Sequence, residues 1–381
     1  MHTAATHVQS TPDRALFLAF ELSEAHWKLG FSTGIGQSPR QRVISARDLS
    51  ALEREIRLAK QRFKIAAEAP VFSCYEAGRD GFWLHRHLAS RGIENLVVDS
   101  SSIEVPRRHR RRKTDQMDLA KLMKLLLRHH AGERKVWSVV HVPGEDDEDR
   151  RQLHRELATL RKGRTAHINR IKGLLAAQGV RLAVGKNFLK EMGGARTWRG
   201  EPLPPFLQAR LKREYQRKLS VEGQIEEIEA ERLAILRQSE DPWVQMARDL
   251  MRLKSVGVNS GWTFVMEFFS WRKFNNAREV GALAGVTPTP YQRGDMVHEL
   301  GMSKAGNVYV RALLIQIAWA WLRYRPDSEL SQWYAERFGQ GGSRLRRVAI
   351  VALARKLLIA FWRYLEHGEI PAGAQLMPLS L

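Results

Sequence analysis

Three short apolar runs in the first hundred residues, Ala15 to Phe20 (ALFLAF), Val71 to Tyr75 (VFSCY) and Asn95 to Val98 (NLVV), each stop at an acid: Glu21, Glu76 and Asp99. Runs of this length separated by helical patterns predict strands buried on both faces by crossover helices. The helical patterns are Ser45 through Phe63, with Leu49, Leu52, Ile56 and Leu58, and Gly81 through Gly92. From Asp115 onward Leu119, Leu122, Met123, Leu126 and Leu127 recur at helical spacing, which puts Asp115 near a helix start. An α/β domain over residues 15–145 follows, after a polar tail at 1–14.

Residues 146–241 change character. Leu153, Leu157, Leu160, Ile168, Ile171 and Leu175 fit one helix, and Leu207, Leu211, Tyr215, Leu219, Ile225 and Ile228 fit its partner, joined by a Gly- and Pro-containing stretch from Gly179 to Pro205. The pattern predicts an antiparallel helical pair or coiled-coil arm. Its narrow stripes call for a covering helix, hence a homo-oligomer, dimer or tetramer. Residues 242–370 read as a mainly α domain. Leu253 to Phe269 is predicted as helix, tight Gly turn and helix, a helix-hairpin-helix-like segment; Ala312 to Arg323 and Val348 to Leu365 are core helices, and 371–381 is a tail. Tryptophans 319, 321, 333 and 362 are expected in that core.

Composition narrows the function classes. Against 62 Lys and Arg stand 41 Asp and Glu, a formal charge of +21 in 381 residues, while 44% hydrophobic residues suffice for packed cores. Such a polycation calls for a polyanion, and nucleic acid is favoured over a membrane because no basic amphipathic helix with a bulky apolar face occurs. The longest apolar candidate, Ala312 to Leu322, is too short to span a bilayer. One cysteine, Cys74, precludes an intrachain disulfide and a thiolate metal cage. A cytoplasmic protein, nucleoid-associated when bound to DNA, is expected.

Acids at the carboxyl ends of parallel strands occupy the usual ligand edge of an α/β sheet. Asp115 and Asp118, three apart on a helix, share a face. Carboxylates converging on one pocket repel one another unless a divalent cation neutralises them, and oxygen-only ligation suits Mg²⁺ or Mn²⁺. For any one acid taken singly, capping or surface placement is the better reading, as for Asp115 at a helix start; the constellation is more specific than its members. Directly before it lie Arg107, Arg108, Arg110, Arg111, Arg112 and Lys113, broken only by His109, a run suited to phosphates. No zinc-type His pair and no nucleotide-binding P-loop is present.

The stretches Ser73-Cys74-Tyr75-Glu76-Ala77-Gly78, Lys113-Thr114-Asp115-Gln116-Met117-Asp118, Gly285-Val286-Thr287-Pro288-Thr289-Pro290-Tyr291 and Met302-Ser303-Lys304-Ala305-Gly306-Asn307 together resemble the DEDD transposases of the insertion sequence 110 family, relatives of pilin-gene DNA invertases. The resemblance runs in order from about residue 15 to 370. It implies a RuvC-like N-terminal domain of RNase H type, a coiled-coil insertion and a C-terminal transposase domain. It further implies Mg²⁺-dependent DNA strand cleavage and exchange guided by a structured RNA. The four family acids fall on Glu21, Glu76, Asp115 and Asp118, with Lys304 among the nucleic-acid contacts. A composite site would pair one protomer's acids with another's nucleophile segment.

Two positions depart from the family pattern. Glu21 stands where Asp is usual. Arg293, in Pro288-Thr289-Pro290-Tyr291-Gln292-Arg293-Gly294, stands where the attacking serine is expected, and a guanidinium is no nucleophile. Ser303 is the nearest hydroxyl within a family motif, and fits the capping or ordering of a Gly-containing loop better than a nucleophile's role. The alternatives are a nucleic-acid-binding relic without strand exchange, and a metal-dependent branched-DNA nuclease in which water attacks phosphorus.

Overall fold

The computed structural model describes residues 15–78, 80–103, 115–293, 296–303 and 306–379, without the side chains of 115–118, 289–293 and 296–301. The chain divides into two compact units, Met1–Val142 and Pro143–Leu381.

In the first unit β1 (Leu16–Leu22), β2 (His26–Ser32), β3 (Arg40–Ser45), β4 (Val71–Glu76) and β5 (Glu94–Val98) form one sheet in the order β3-β2-β1-β4-β5. The three runs predicted as strands are β1, β4 and β5, mutually parallel. The sheet is nevertheless mixed, because β2 and β3 add antiparallel strands that the apolar runs did not announce. Their sequences explain the omission. In β2 the buried Trp27, Leu29 and Phe31 alternate with Lys28 and Gly30, and in the edge strand β3 only Ile44 is buried.

Helices cover both faces. Leu16, Leu18 and Phe20 of β1 share a core with Leu52 and Ile56 of α1 (Leu49–Phe63) and with Leu84 and Leu88 of α2 (Trp83–Ser90). Phe17 and Ala19, of the opposite parity, share a second core with Cys74, Leu119, Leu122 and Leu126; the three leucines belong to α3 (Asp115–His130).

The second unit begins with a short acidic helix, α4 (Glu145–Asp149). Then α5 (Gln152–Ala176) and α7 (Pro205–Gln238) run antiparallel, with α6 (Phe188–Gly194) in the connection. Leu157 meets Ile225 and Ile228 at one end, and Ile171 meets Leu211 and Tyr215 at the other. The remainder is helical: α8 (Pro242–Arg252), α9 (Val258–Phe264) continuing into a π-helical turn at Val265–Phe269, α10 (Ala277–Leu283), α11 (Val308–Tyr324), α12 (Glu329–Phe338) and α13 (Ser343–His367). Between α10 and α11 lies a hairpin of β6 (Pro288–Arg293) and β7 (Met296–Met302). Trp321 is fully buried as expected, whereas Trp319 on the next exposed face of α11 is 45% exposed.

Candidate functional site

Glu21 and Glu76 sit at adjacent ends of parallel strands. The β1–β4 register runs from Leu16 opposite Val71 to Phe20 opposite Tyr75, so both acids lie one step beyond the last pair. Period-two alternation puts Glu21 on the face of Phe17 and Ala19 and Glu76 on the face of Phe72 and Cys74, the face that α3 covers.

α3 runs antiparallel to these strands. The ring of His130, its last residue, lies 5.0 Å from that of Phe17 and 4.2 Å from that of Phe72, near the strand starts. Further along, the Cys74 thiol donates to the carbonyl of Leu122 at 3.9 Å. Leu119 then rests on Gly30, the partner of Ala19, where a Cβ would stand 3.2 Å from the leucine Cγ. Asp115 is four residues before Leu119, about 6 Å of helix. Glu21 is two residues past Ala19, about 7 Å of strand. The first turn of α3 and the strand ends bearing Glu21 and Glu76 therefore lie at one level of the domain.

A cleft of about 340 Å³ at that edge is lined by Glu21, Glu76 and a third carboxylate, Asp80. Asp80 follows β4 in the loop pinned by the Tyr75 hydroxyl, which donates to the carbonyl of Gly81 at 3.1 Å. Its side chain is 9% exposed and lies 3.5 Å from the Arg47 guanidinium. The run reading missed it because it belongs to no strand; the signal was an acid four residues past a strand-ending acid. Asp99 is different: its carboxylate accepts from the Ser101 amide at 2.9 Å and the Ser101 hydroxyl at 2.8 Å, a capping acid. Burial, and after it the charge of Glu76, pushes the Cys74 thiol up, so it stays protonated.

Several predicted residues lie outside the described set: Arg107, Arg108, Arg110, Arg111, Arg112, Lys113 and Lys304, together with the side chains of Asp115, Asp118 and Arg293. Among the described residues no group of three or more His, Cys, Asp or Glu side chains is poised around one point for a metal.

In the second unit, Arg293 is the last residue of β6, opposite Met296. Ser303 follows β7, is exposed, and donates its amide to the carbonyl of Thr287 at 2.9 Å. Gly306 has φ of +120°, and a Cβ there would collide with the carbonyl of Leu283. Asn307 caps α11, its side-chain oxygen accepting from the amides of Tyr309 (2.9 Å) and Val310 (3.1 Å).

The side-chain amide of Asn307 reaches back to Glu267 in the π-helical turn, at 2.7 Å. Glu267 is fully buried and also accepts from Arg155 Nε (2.7 Å) and Nη2 (3.0 Å) and pairs with His154 Nε2 (2.7 Å). Burial opposes its ionisation, but the hydrogen bonds from His154 and Arg155 outweigh burial and hold the carboxyl at about 2. Sequence reasoning passed over this acid inside an apolar run, Val265-Met266-Glu267-Phe268-Phe269, where a lone charge demands buried partners. In the hairpin-like turn before α9, Ser255 has φ of +96°, and the Asn259 side chain takes Arg161 (3.3 Å) and Arg232 (3.2 Å).

Residues 247–334 match the family model described as Transposase IS116/IS110/IS902 family. A putative transposase, y4rJ, of Sinorhizobium fredii is 39% identical, with 94% of each chain covered. A second putative transposase of that organism, y4qE, is 29% identical over 78% of this chain and 69% of its own. The transposase for insertion sequence element IS1111A of Coxiella burnetii is 29% identical over 55% of this chain and 56% of its own.

The chain belongs to the IS116/IS110/IS902 transposase family.

The segment matched by the family model holds Glu267, the β6–β7 hairpin, Asn307 and all of α11, so the buried carboxylate and the loop it anchors belong to the family's transposase segment. Glu21 and Glu76 lie outside it. Among the described residues of this transposase-family chain, no helix is long and apolar enough to cross a membrane.

Proposed function

We propose that this chain is a DNA transposase or site-specific recombinase of an insertion sequence, with Glu21, Glu76, Asp115 and Asp118 as ligands for Mg²⁺ or Mn²⁺. The observation that carries the reading is the placement of Glu21 and Glu76 side by side on the face that α3 covers, level with its first turn. Their donor set is carboxylate oxygen, which fits a hard divalent cation, and among the described residues lining the cleft no thiolate or imidazole competes. Bound there, such ions stabilise the attacking and leaving oxygens of phosphoryl transfer. The sheet order β3-β2-β1-β4-β5 with antiparallel β2 supports an RNase H-type, RuvC-like domain. The Arg107–Lys113 run, which directly precedes Asp115 in the sequence, contacts the DNA backbone, and the charge of +21 suits both DNA and a structured guide RNA. Protomers combine in a homo-oligomer so that the acids of one copy act with the hairpin segment of another.

The test is cleavage of supercoiled DNA carrying element ends, with the element's RNA and Mg²⁺. Glu76→Gln and Asp115→Asn lower cleavage about a hundredfold or more. Cleavage that persists in both variants removes the proposal.

A second reading is favoured by one observation, the guanidinium of Arg293 where the family pattern has serine. On it the chain binds nucleic acid without strand exchange. Trapping of a covalent protein–DNA adduct with the native chain rules this out, and an adduct gained only by Arg293→Ser supports it. Hydrolysis of branched DNA without any adduct, abolished by Asp115→Asn, marks the chain instead as a metal-dependent nuclease.

A further inference from the structure

At the far end of the α5–α7 pair an aromatic ring is displayed on a rigid support. Thr197 to Gly200 form a tight turn: the Thr197 amide donates to the carbonyl of Glu201 at 2.7 Å, the Gly200 amide to Thr197 at 2.8 Å, and Gly200 has φ of +80°. The turn is tied to the end of α5 by the Trp198 amide, which donates to the carbonyl of Gln178 at 3.0 Å. Gly179 permits this approach, since a Cβ there would stand 3.2 Å from Trp198 Cβ. The backbone of Trp198 is thus held, yet its side chain is left 70% exposed. Arg199 covers the ring at 4.7 Å from guanidinium carbon to centroid, leaving a second aromatic face for a partner.

Two further features accompany it. A cavity of about 290 Å³ opens at the same end of α5, lined by the apolar Leu175, Ala176, Val180 and Leu182 and flanked by Lys172 and Arg181. The connection from 177 to 204 carries five Lys or Arg against two Glu. A hydrophobic partner protein would not call for those cations, and they oppose a contact between the tips of two copies. An unpaired nucleotide satisfies every feature: a flat base for the aromatic face and apolar floor, and a phosphate for the rim.

We propose that the tip of the α5–α7 arm, at Trp198 with Lys172 and Arg181, is a binding site for unpaired nucleotides of a nucleic-acid partner. The proposal rests on the nucleic-acid reading above and adds a single-strand site apart from the acid-lined cleft. RNA and DNA single strands share this chemistry.

The experiment is fluorescence anisotropy with the full chain and three labelled probes: a short RNA single strand, the same sequence as single-stranded DNA, and the corresponding DNA duplex. Trp198→Ala weakens single-strand binding roughly fivefold to 150-fold, as expected for loss of one stacked base. Duplex binding and the melting temperature stay unchanged, and Trp198→Phe retains most of the affinity. Arg181→Ala instead lowers the slope of log affinity against log salt by about 0.7. A loss confined to RNA, or to DNA, supports the site and identifies its source of nucleotides. Equal loss on duplex and single strands, no loss, or a change in sedimentation marking Trp198 as a contact between copies overturns the proposal. If the unaltered chain binds none of the three probes, the broader nucleic-acid reading falls with it; if it binds all three and Trp198→Ala binds equally well, only the arm site falls.

Discussion

Glu267 and Asn307, forty residues apart, meet in a 2.7 Å hydrogen bond that ties the π-helical turn to the cap of α11. The bond makes the loop after β7 depend on a buried charge that His154 and Arg155 of α5 also share. Removing one partner of a buried ion pair costs about 3–5 kcal/mol, because the remaining charge loses its compensation. Glu267→Ala is therefore expected to lower the melting temperature by roughly 10 °C or more in a unit of this size. Asn307→Ala costs less, about 1–2 kcal/mol for the lost cap. The double variant measured by urea unfolding should show a coupling above about 0.5 kcal/mol. Strict additivity would mean that the two side chains act independently.

The same carboxyl sets a pH dependence. Its pKa is about 2 in the folded chain against 4.5 for an ordinary glutamate, so the charged, bonded form is favoured by folding. The resulting stability is complete above about 4.5 and is lost as pH falls toward 2. Burial lowers the pKa of His154 from 6.5, and the ring is kept neutral; below that value the unfolded chain takes up the proton first, which also erodes stability. The urea midpoint of the native chain should thus decline in acid, and Glu267→Gln should flatten the lower part of that decline. An unchanged profile in Glu267→Gln would show that other carboxylates govern acid unfolding.

How much of this was legible depended on how burial writes itself into sequence. β1, β4 and β5 are buried on both faces, so ALFLAF, VFSCY and NLVV stood out and carried Glu21 and Glu76 with them. The leucine and isoleucine stripes of α5 and α7 marked the arm. β2 escaped because Lys28 and Gly30, on its other face, alternate with the buried Trp27, Leu29 and Phe31 and break up the apolar run, and the β6–β7 hairpin because Pro288 and Pro290 argue against a strand. Asp80 and Glu267 each pair with residues far along the chain, Arg47 in one case and His154, Arg155 and Asn307 in the other. No local pattern encodes such pairings.

Gly30 governs how closely α3 approaches the sheet. A methyl there stands 3.2 Å from Leu119 Cγ and asks for a shift of a few tenths of an ångström, so Gly30→Ala should fold nearly as well as the native chain. Gly30→Val adds volume that the leucine cannot vacate, and overpacking of this kind costs about 1–3 kcal/mol. It should also displace the first turn of α3 and, on the metal-dependent activity proposed above, lower cleavage beyond the stability loss. Pairing Gly30→Val with Leu119→Ala makes room and should restore part of both. Absence of any rescue would separate the glycine from the helix it faces.

The cleft holds three carboxylates of unequal standing. Glu21 and Glu76 occupy strand ends on the α3 face, whereas Asp80 lies in a loop, 3.5 Å from Arg47. A guanidinium at that distance offsets the Asp80 charge, and Asp80 is not among the ligands of the metal site proposed above. On the Mg²⁺-dependent activity proposed above, Asp80→Asn should leave cleavage within a few-fold of native, while Glu21→Gln and Glu76→Gln each reduce it about a hundredfold or more. Mn²⁺ titration followed by melting temperature gives a readout independent of turnover: stabilisation should persist in Asp80→Asn and vanish in Glu76→Gln. Arg47→Ala breaks a pair between a guanidinium that is 60% exposed and a carboxylate that is 9% exposed, and should change stability by about 1 kcal/mol. It should also raise Mn²⁺ affinity, because the released Asp80 charge then adds to the attraction at the cleft. Equal loss of Mn²⁺ stabilisation in Asp80→Asn and Glu76→Gln would move the ligand set from the strand ends to the loop.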